Sequence, residues 1–266
     1  MSKIEMLKLL DRDSVNALVL PEQILFAVRE AFYLHSAGDG QNFPVVREAL
    51  STGGIFGIKS GGIANQGVLG FKAAGFWPTN RALQGEPHQA TILLIDPTTG
   101  RPLCVIDGNV ITTLRTGAAG ALGLEMFARR GSSRLCVFGT GVQAGIQVDY
   151  ALRVMSGIKH VTYLTADGVP SAQFESQFSD RVSMRHSASA NDAVSKSDVV
   201  ITATPGGRCC LTWTPSNPVR TSTAWVQTPR AKGKCREGFC PRPESLSTIE
   251  LKLVSSAKRN GRRRHQ

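Results

Sequence analysis

The stretch Arg134-Leu135-Cys136-Val137-Phe138-Gly139-Thr140-Gly141-Val142-Gln143-Ala144 decides the fold. A short apolar run ending in Gly-x-Gly-x-x-Ala predicts a buried strand that turns sharply into a helix. In that spacing Gly139 makes the turn and Gly141 lets a pyrophosphate approach the backbone. Ala144 permits close helix–strand packing. The start of the helix then offers unpaired N–H groups and a partial positive charge to phosphates. The motif alone is weak; its position between an apolar strand and a helix makes it a dinucleotide loop.

Downstream the pattern alternates regularly. His160–Thr165 reads as a second strand, Pro170–Phe178 as a helix, Val182–Arg185 as a weak third strand, Asn191–Lys196 as a short helix and Asp198–Thr204 as a fourth strand. Strand–helix alternation at this spacing predicts a parallel sheet. The second strand runs into Leu164-Thr165-Ala166-Asp167-Gly168, where Asp167 stands a residue or two beyond the usual place of a ribose-binding acid. No arginine lies there to favour a 2′-phosphate, so the cofactor is read as NAD(P).

Upstream, residues 21–36 read as an amphipathic helix, with Pro21 in its first turn and Ile24, Leu25, Val28, Ala31 and Phe32 on one face. Apolar segments follow at Ile55–Lys59, Val68–Ala74, Ala90–Ile95 and Leu103–Ile106. The last two flank Asp96-Pro97-Thr98-Thr99-Gly100 and predict a hairpin. Asn109–Arg129 predicts a long helix capped by Asn109.

The net charge of +11 is unevenly placed. Residues 1–206 hold 18 Lys/Arg against 17 Asp/Glu, whereas residues 207–266 hold 13 against 3. The basic balance therefore says little about the main body. No run reaches the roughly 18 apolar residues of a membrane span, and the opening residues lack a signal-peptide core. A cytoplasmic protein is expected. Cys104 and Cys136 are isolated and read as small core residues.

Four cations precede the loop: Arg47, Lys59, Lys72 and Arg115. Small and apolar neighbours surround Lys72, and Arg115 lies in an Ala/Gly-rich helix near Thr112 and Thr116. Convergent Arg and Lys suit a small carboxylate, because each charge-assisted hydrogen bond contributes roughly 1.5–3 kcal/mol.

Residues 1–206 resemble the ornithine cyclodeaminase/mu-crystallin family. The resemblance is carried by Pro44–Glu48, Phe56–Gly61, Leu69–Gly75, His88–Thr91, Asp96–Pro102, Ile111–Ala118, Gly139–Ala144 and Asp198–Pro205, in the family's order. It implies an α/β chain in which a Rossmann-type parallel sheet, here cut short, follows an α+β substrate and dimerisation domain. The expected domains are 1–130 for substrate and dimerisation and 131–206 for NAD(P), with 207–266 as a basic tail expected to be disordered. The same likeness implies a homodimer acting on an imino or amino acid. Arg47, Lys72 and Arg115 would hold the substrate carboxylate beneath the nicotinamide, and Lys72 would also handle a proton. Thr91, Arg115, Thr116, Gly139, Gly141, Val142, Gln143 and Thr204 would contact the cofactor. The stretch Trp77–Asn80 leading to His88–Thr91 is closer to the ketimine reductase branch, whose members reduce Δ1-pyrroline-2-carboxylate or Δ1-piperideine-2-carboxylate. The alternative is an ornithine cyclodeaminase, which converts ornithine to proline and ammonia.

The likeness stops after Gly206-Gly207-Arg208, where the family continues with further strands and a catalytic Asp. Residues 207–266 contain no Asp, five Pro, twelve Ser/Thr, and four Cys. Arg262-Arg263-Arg264 invites a nucleic-acid reading, but no recognised binding fold accompanies it. Cys209, Cys210, Cys235 and Cys240 lack a standard zinc spacing. A third alternative is a member that keeps the fold and binds without turnover. Lost periodicity, lost Asp, a charge jump and a burst of Cys and Trp coincide at one point, which predicts a frameshift near codon 207. Translating the gene in its other two frames from that codon should restore family-like sequence; two frames without it would refute the frameshift.

Overall fold

The computed structural model describes residues 6–204 and, as backbone alone, residues 220–224 and 253–254. The chain divides into two compact units at Ala118/Ala119.

The first unit opens with β1 (Lys8–Leu10), α1 (Arg12–Leu18), α2 (Pro21–Ala37), β2 (Gly40–Asn42) and β3 (Val46–Ala49). It continues through β4 (Ile55–Ile63), β5 (Val68–Phe76), β6 (His88–Ile95) and β7 (Pro102–Asp107), and then enters α3 (Gly108–Phe127). Its sheet has the order β1-β7-β6-β5-β4-β2, with β3 also paired to β4. The expected hairpin is present as β6 and β7, closed by Asp96, whose carboxylate accepts from the Thr98 N–H and the Thr99 hydroxyl.

Several boundaries differ from expectation, each for a local reason. β4 runs on to Ile63 because Gly61 lets the edge strand β2 come close, where a Cβ would run into the Gln41 carbonyl, and Gly62 does the same for the Val68 carbonyl of β5. The cap of α3 is Asp107, whose carboxylate accepts the Asn109 backbone N–H at 3.0 Å, so Asn109 keeps its own side chain for other partners. The strands β1, β2 and β3 are exposed or nearly so and show no apolar alternation to read.

The second unit contains β8 (Arg134–Phe138), α4 (Val142–Val154), β9 (His160–Leu164), α5 (Ala172–Ser176), β10 (Ser183–His186), α6 (Ala190–Ser195) and β11 (Val199–Thr202). Strands β8 to β11 are parallel, in the order β10-β9-β8-β11. This is the doubly wound arrangement with its switch point between β8 and β11. The α5 helix starts later than expected because Ser171 caps it, accepting from the Phe174 N–H at 3.3 Å. Two short backbone segments beyond Thr204 also join the sheet: β12 (Arg220–Ala224) parallel to β11, and β13 (Leu253–Val254) antiparallel to β12. Cys209, Cys210, Cys235, Cys240 and the Arg262–Arg264 run lie outside the described residues.

Burial differs sharply between the units. Leu135, Val137, Ala144, Val148, Val161, Tyr163, Phe174, Val199 and Ile201 form one contiguous buried core in the second. On the other face of that sheet Cys136, Phe138, Leu164, Ala193 and Val200 form another. In the first unit the buried apolar side chains among the described residues are Val15, Leu34, Ala90, Cys104 and Ala118, while Phe26, Phe32 and Tyr33 of α2 are exposed.

The start of β8 is fastened to the start of β11 by Asp198. Its carboxylate accepts the backbone N–H groups of Ser133 and Arg134 at 3.0 Å each and an Arg129 guanidinium N–H at 2.9 Å.

Candidate functional site

In the second unit the loop after β8 has the form its sequence requires. Gly139 lies at φ +101°, a left-handed conformation, and a Cβ there would be 2.8 Å from the Ala203 carbonyl. Gly139 therefore lets the ends of β8 and β11 touch, and Thr204 lies beside it. Gly141 caps α4, and a Cβ built on it would meet nothing within 4 Å. Ala144 is fully buried. The loop thus presents open space over the first turn of a 13-residue helix. Val142 is exposed there, and the buried Gln143 Oε1 has no partner among the described residues. Open space above free helical N–H groups fits a pyrophosphate.

A cavity of about 420 Å³ adjoins this loop, lined by Thr140, Thr165, Asp167 and Ser171 among others. Asp167 stands three residues past the end of β9, and its carboxylate accepts the Val169 N–H at 3.1 Å. That hydrogen bond and one from Thr165 hold it below the usual carboxylate range.

In the first unit the strand register brings the predicted cations to one face. Lys59 on β4 lies directly opposite Lys72 on β5, and Arg47 on β3 is opposite Gly57, two residues from Lys59. Alternation puts all three side chains on the same side of the sheet. The α3 helix covers that side: the Lys72 ammonium donates to the Thr112 hydroxyl at 2.9 Å. Burial, then the charges of Arg115 and Lys59, lower Lys72 from the ordinary lysine value of 10.5 to about 7. Lys59 is more exposed but is also lowered, by partial desolvation, Arg115 and Arg47.

Two predicted cofactor residues stand apart from this cluster. Thr91 pairs with Ala73, one position out of phase with Lys72, so it projects from the opposite face of the sheet. Thr116 is fully buried and its hydroxyl donates to the Thr112 carbonyl at 2.7 Å.

The register also adds a residue without a role in the sequence reading. His88 shares the face of Lys72 and belongs to a chain of side chains that reaches the surface. Arg12 makes two hydrogen bonds to the Glu86 carboxylate, at 2.9 and 2.7 Å. Glu86 accepts from the Asn109 amide N–H at 2.9 Å, which leaves the amide oxygen facing His88 Nδ1 at 3.2 Å. An amide oxygen only accepts, so Nδ1 carries the proton and Nε2 is left as an acceptor. Burial and the nearby Lys72 charge lower the His88 pKa, favouring the neutral ring. The sequence signal was the polar pair Glu86 and His88 standing just before the apolar segment Ala90–Ile95.

The comparisons with known proteins agree with this geometry. Residues 6–217 match the model of the ornithine cyclodeaminase/mu-crystallin family. The chain belongs to that family. It is similar to the iminosuccinate reductase of Paracoccus denitrificans, 38% identical over 141 residues, which are 53% of this chain and 44% of that protein. Among solved structures it is similar to an archaeal alanine dehydrogenase dimer with bound NAD, with 30% identity and a TM-score of 0.69 over 75% of this chain and 61% of that one. It is also similar to the Thermococcus litoralis Δ1-pyrroline-2-carboxylate reductase in complex with NADH and L-proline. There the identity is 25% and the TM-score 0.72, over 83% of this chain and 69% of that one. The chain spans about half the length of the curated relatives it matches.

The depressed Lys72 pKa has a consequence for stability. A lysine whose folded pKa lies below its unfolded value takes up a proton on unfolding between those values. Stability should therefore rise as pH climbs from about 7 toward 10.5. Lys72→Met should raise the unfolding midpoint below pH ~7 by several degrees, at about 2–4 °C per kcal/mol for a chain of this size. The gain should fade toward pH ~10, where unfolding no longer takes up a proton. A midpoint lowered equally at every pH would contradict the assignment.

Proposed function

We propose that this chain is a nicotinamide-dependent reductase of α-imino acids, including the cyclic imines Δ1-pyrroline-2-carboxylate and Δ1-piperideine-2-carboxylate. The observation that carries this reading is Lys72, an amine held near neutrality between Arg115 and Lys59 on a face of matching cations. A cluster of that kind binds a carboxylate and can also exchange a proton at working pH.

The loop Gly139–Ala144 would hold the pyrophosphate on the free N–H groups of α4, with Val142, Gln143 and Thr204 beside it. When bound, a reduced nicotinamide supplies a hydride to the imine carbon. The chain's own residues do the rest. Arg47, Lys72 and Arg115 orient the carboxylate next to the imine, and positive charge there favours electron flow away from carbon. The C=N π bond breaks as the new C–H bond forms, and its electron pair takes a proton at nitrogen. Protonated Lys72 is the donor within this cluster, and with a pKa of about 7 it is readily recharged. The reverse reading, an ornithine cyclodeaminase, would begin with oxidation at the same carbon; it needs a subsite for the second amine, and the described cluster is cationic instead.

For the nucleotide, Asp167 supports NAD over NADP. Its carboxylate lines the cavity beside Thr140 of the loop, where it would accept ribose hydroxyls and repel a 2′-phosphate. A homodimer is supported by the first unit, whose described residues leave Phe26, Phe32, Tyr33, Val45 and Val46 exposed. A partner surface over them would supply the burial that the unit lacks.

Titration of the purified chain with nucleotides tests the cofactor assignment independently of turnover. NADH should bind about tenfold or more tighter than NADPH, a difference of ~1.4 kcal/mol, and Asp167→Ala should narrow the gap. Gly141→Ala should weaken NADH binding while leaving the unfolding midpoint unchanged. Failure of the chain to bind either nucleotide would defeat the proposal. For the assembly, sedimentation should give twice the chain mass, and a monomer at micromolar concentration would argue against the dimer.

A further inference from the structure

Strand alternation sorts the polar groups on the α3 side of the first unit's sheet. On β3, β4, β5 and β6 the side chains of that side are apolar, or absent at glycine, except for Arg47, Lys59, Lys72 and His88. A guanidinium or an ammonium donates hydrogen bonds and accepts none. Those four strands therefore give this side one ring nitrogen built to accept, Nε2 of His88.

The ring is held so that Nε2 stays an acceptor. Nδ1 faces the Asn109 amide oxygen at 3.2 Å, while the Asn109 amide nitrogen donates to Glu86 and to the His88 carbonyl. The amide therefore cannot turn over and present its N–H to the ring. Arg12 fixes Glu86 in turn, so three side chains serve to select one tautomer of a fourth. Nε2 itself makes no hydrogen bond among the described residues, and the ring is half-buried rather than enclosed. The helix also sets the ring beside Lys72. Asn109 meets His88 and Thr112 meets Lys72, and residues three apart on a helix have Cβ atoms about 5–6 Å apart. After burial, the charge of Lys72 is what most lowers the His88 pKa.

We propose that the nitrogen of the substrate lies between these two groups, with the Lys72 amine as its hydrogen-bond donor and His88 Nε2 as its acceptor. This inference rests on the imine-reductase reading and adds a residue to that site. It meets a chemical requirement of the reaction. An imine nitrogen presents a lone pair, which charged Lys72 satisfies. On reduction the hydride forms the new C–H bond, the C=N π pair moves to nitrogen, and one proton passes from Lys72 to that pair. The amine so formed has an N–H where the imine had a lone pair, and as an ammonium it has more. Charged Arg47 and Lys59 cannot accept it, and the Thr112 hydroxyl is already engaged by Lys72. His88 Nε2 accepts it without gaining or losing a proton. The same contact discriminates against a ligand whose corresponding atom cannot donate.

Calorimetric titration of the full chain, saturated with NAD, compares L-proline with (S)-tetrahydrofuran-2-carboxylate, the same ring with an ether oxygen in place of nitrogen. Each ligand has one carboxylate, so a change in their affinity ratio between variants reads the ring atom. His88→Phe should lower the affinity for proline relative to the ether by about tenfold or more. His88→Gln, whose amide oxygen reaches the place of Nε2, should restore most of that preference. Ring-nitrogen NMR of the unaltered chain with isotope-labelled histidine needs no variant to fold. At pH ~8 His88 should show the Nδ1–H tautomer, with an Nε2 signal that moves on adding L-proline and not on adding the ether. A ratio that His88→Phe leaves unchanged would overturn the contact while leaving the α-imino acid reading in place. So would an Nε2–H tautomer, an Nε2 signal that ignores bound proline, or a chain that binds the ether and not proline. If neither ligand binds to a chain that binds NAD, the α-imino acid reading falls, and the His88 contact falls with it.

Discussion

Two ammonium groups set across from each other on adjacent strands repel, and the first unit is organised around tolerating that repulsion. Nine paired positions join β4 to β5, so the ladder holds Lys59 and Lys72 in register whatever their charges prefer. Thr112, brought over the face by α3, offers the Lys72 ammonium a neutral acceptor that does not cancel its charge. An aspartate in its place would have quenched the site and restored an ordinary lysine. The neighbouring His88 is kept neutral by burial and its cationic surroundings, and a single tautomer is selected through Asn109 and Glu86. Under the proposed reading, positive potential at this face would serve an anionic ligand.

The two units meet their stability requirements differently. The parallel sheet of the second is sandwiched between apolar layers and resembles an independently packed body, with Tyr163 as a polar member of its core. The Tyr163 hydroxyl donates to Glu175 at 2.7 Å and accepts the Ser171 N–H at 2.9 Å, so its burial leaves no polar group unmet. The first unit buries few apolar side chains completely and leaves aromatic residues of α2 exposed. Its sheet carries Arg47, Lys59 and Lys72 on one face, which limits how much hydrophobic material that face can contain.

The nucleotide unit was legible because its signals are local. Gly139, Gly141 and Ala144 act through the backbone within one turn, and the apolar runs of β8 and β11 announce buried strands directly. The first unit was harder. Arg47, Lys72 and Arg115 stood out by type and through the family likeness, but their placement depends on register between strands far apart in the chain. Register was invisible, so Lys59 was noticed without a role. His88 needed Asn109 as its partner, and the sequence pattern assigned Asn109 to helix capping, a task that Asp107 performs. Short polar strands such as β2 and β3 carry no periodicity because both their faces meet solvent or an edge.

The Asp198 fastening has a consequence for the order of assembly. It joins groups 64 residues apart, and β11 must reach past β9 and β10 to pair with β8. Closing so long a loop costs entropy before any contact repays it. The β8–α4–β9 segment, whose contacts are short in sequence, is therefore the natural nucleus, and β11 docks late. Until Asp198 arrives on a nascent chain, one edge of the central strand stays open, so synthesis must pass this residue before the nucleotide loop acquires its second wall.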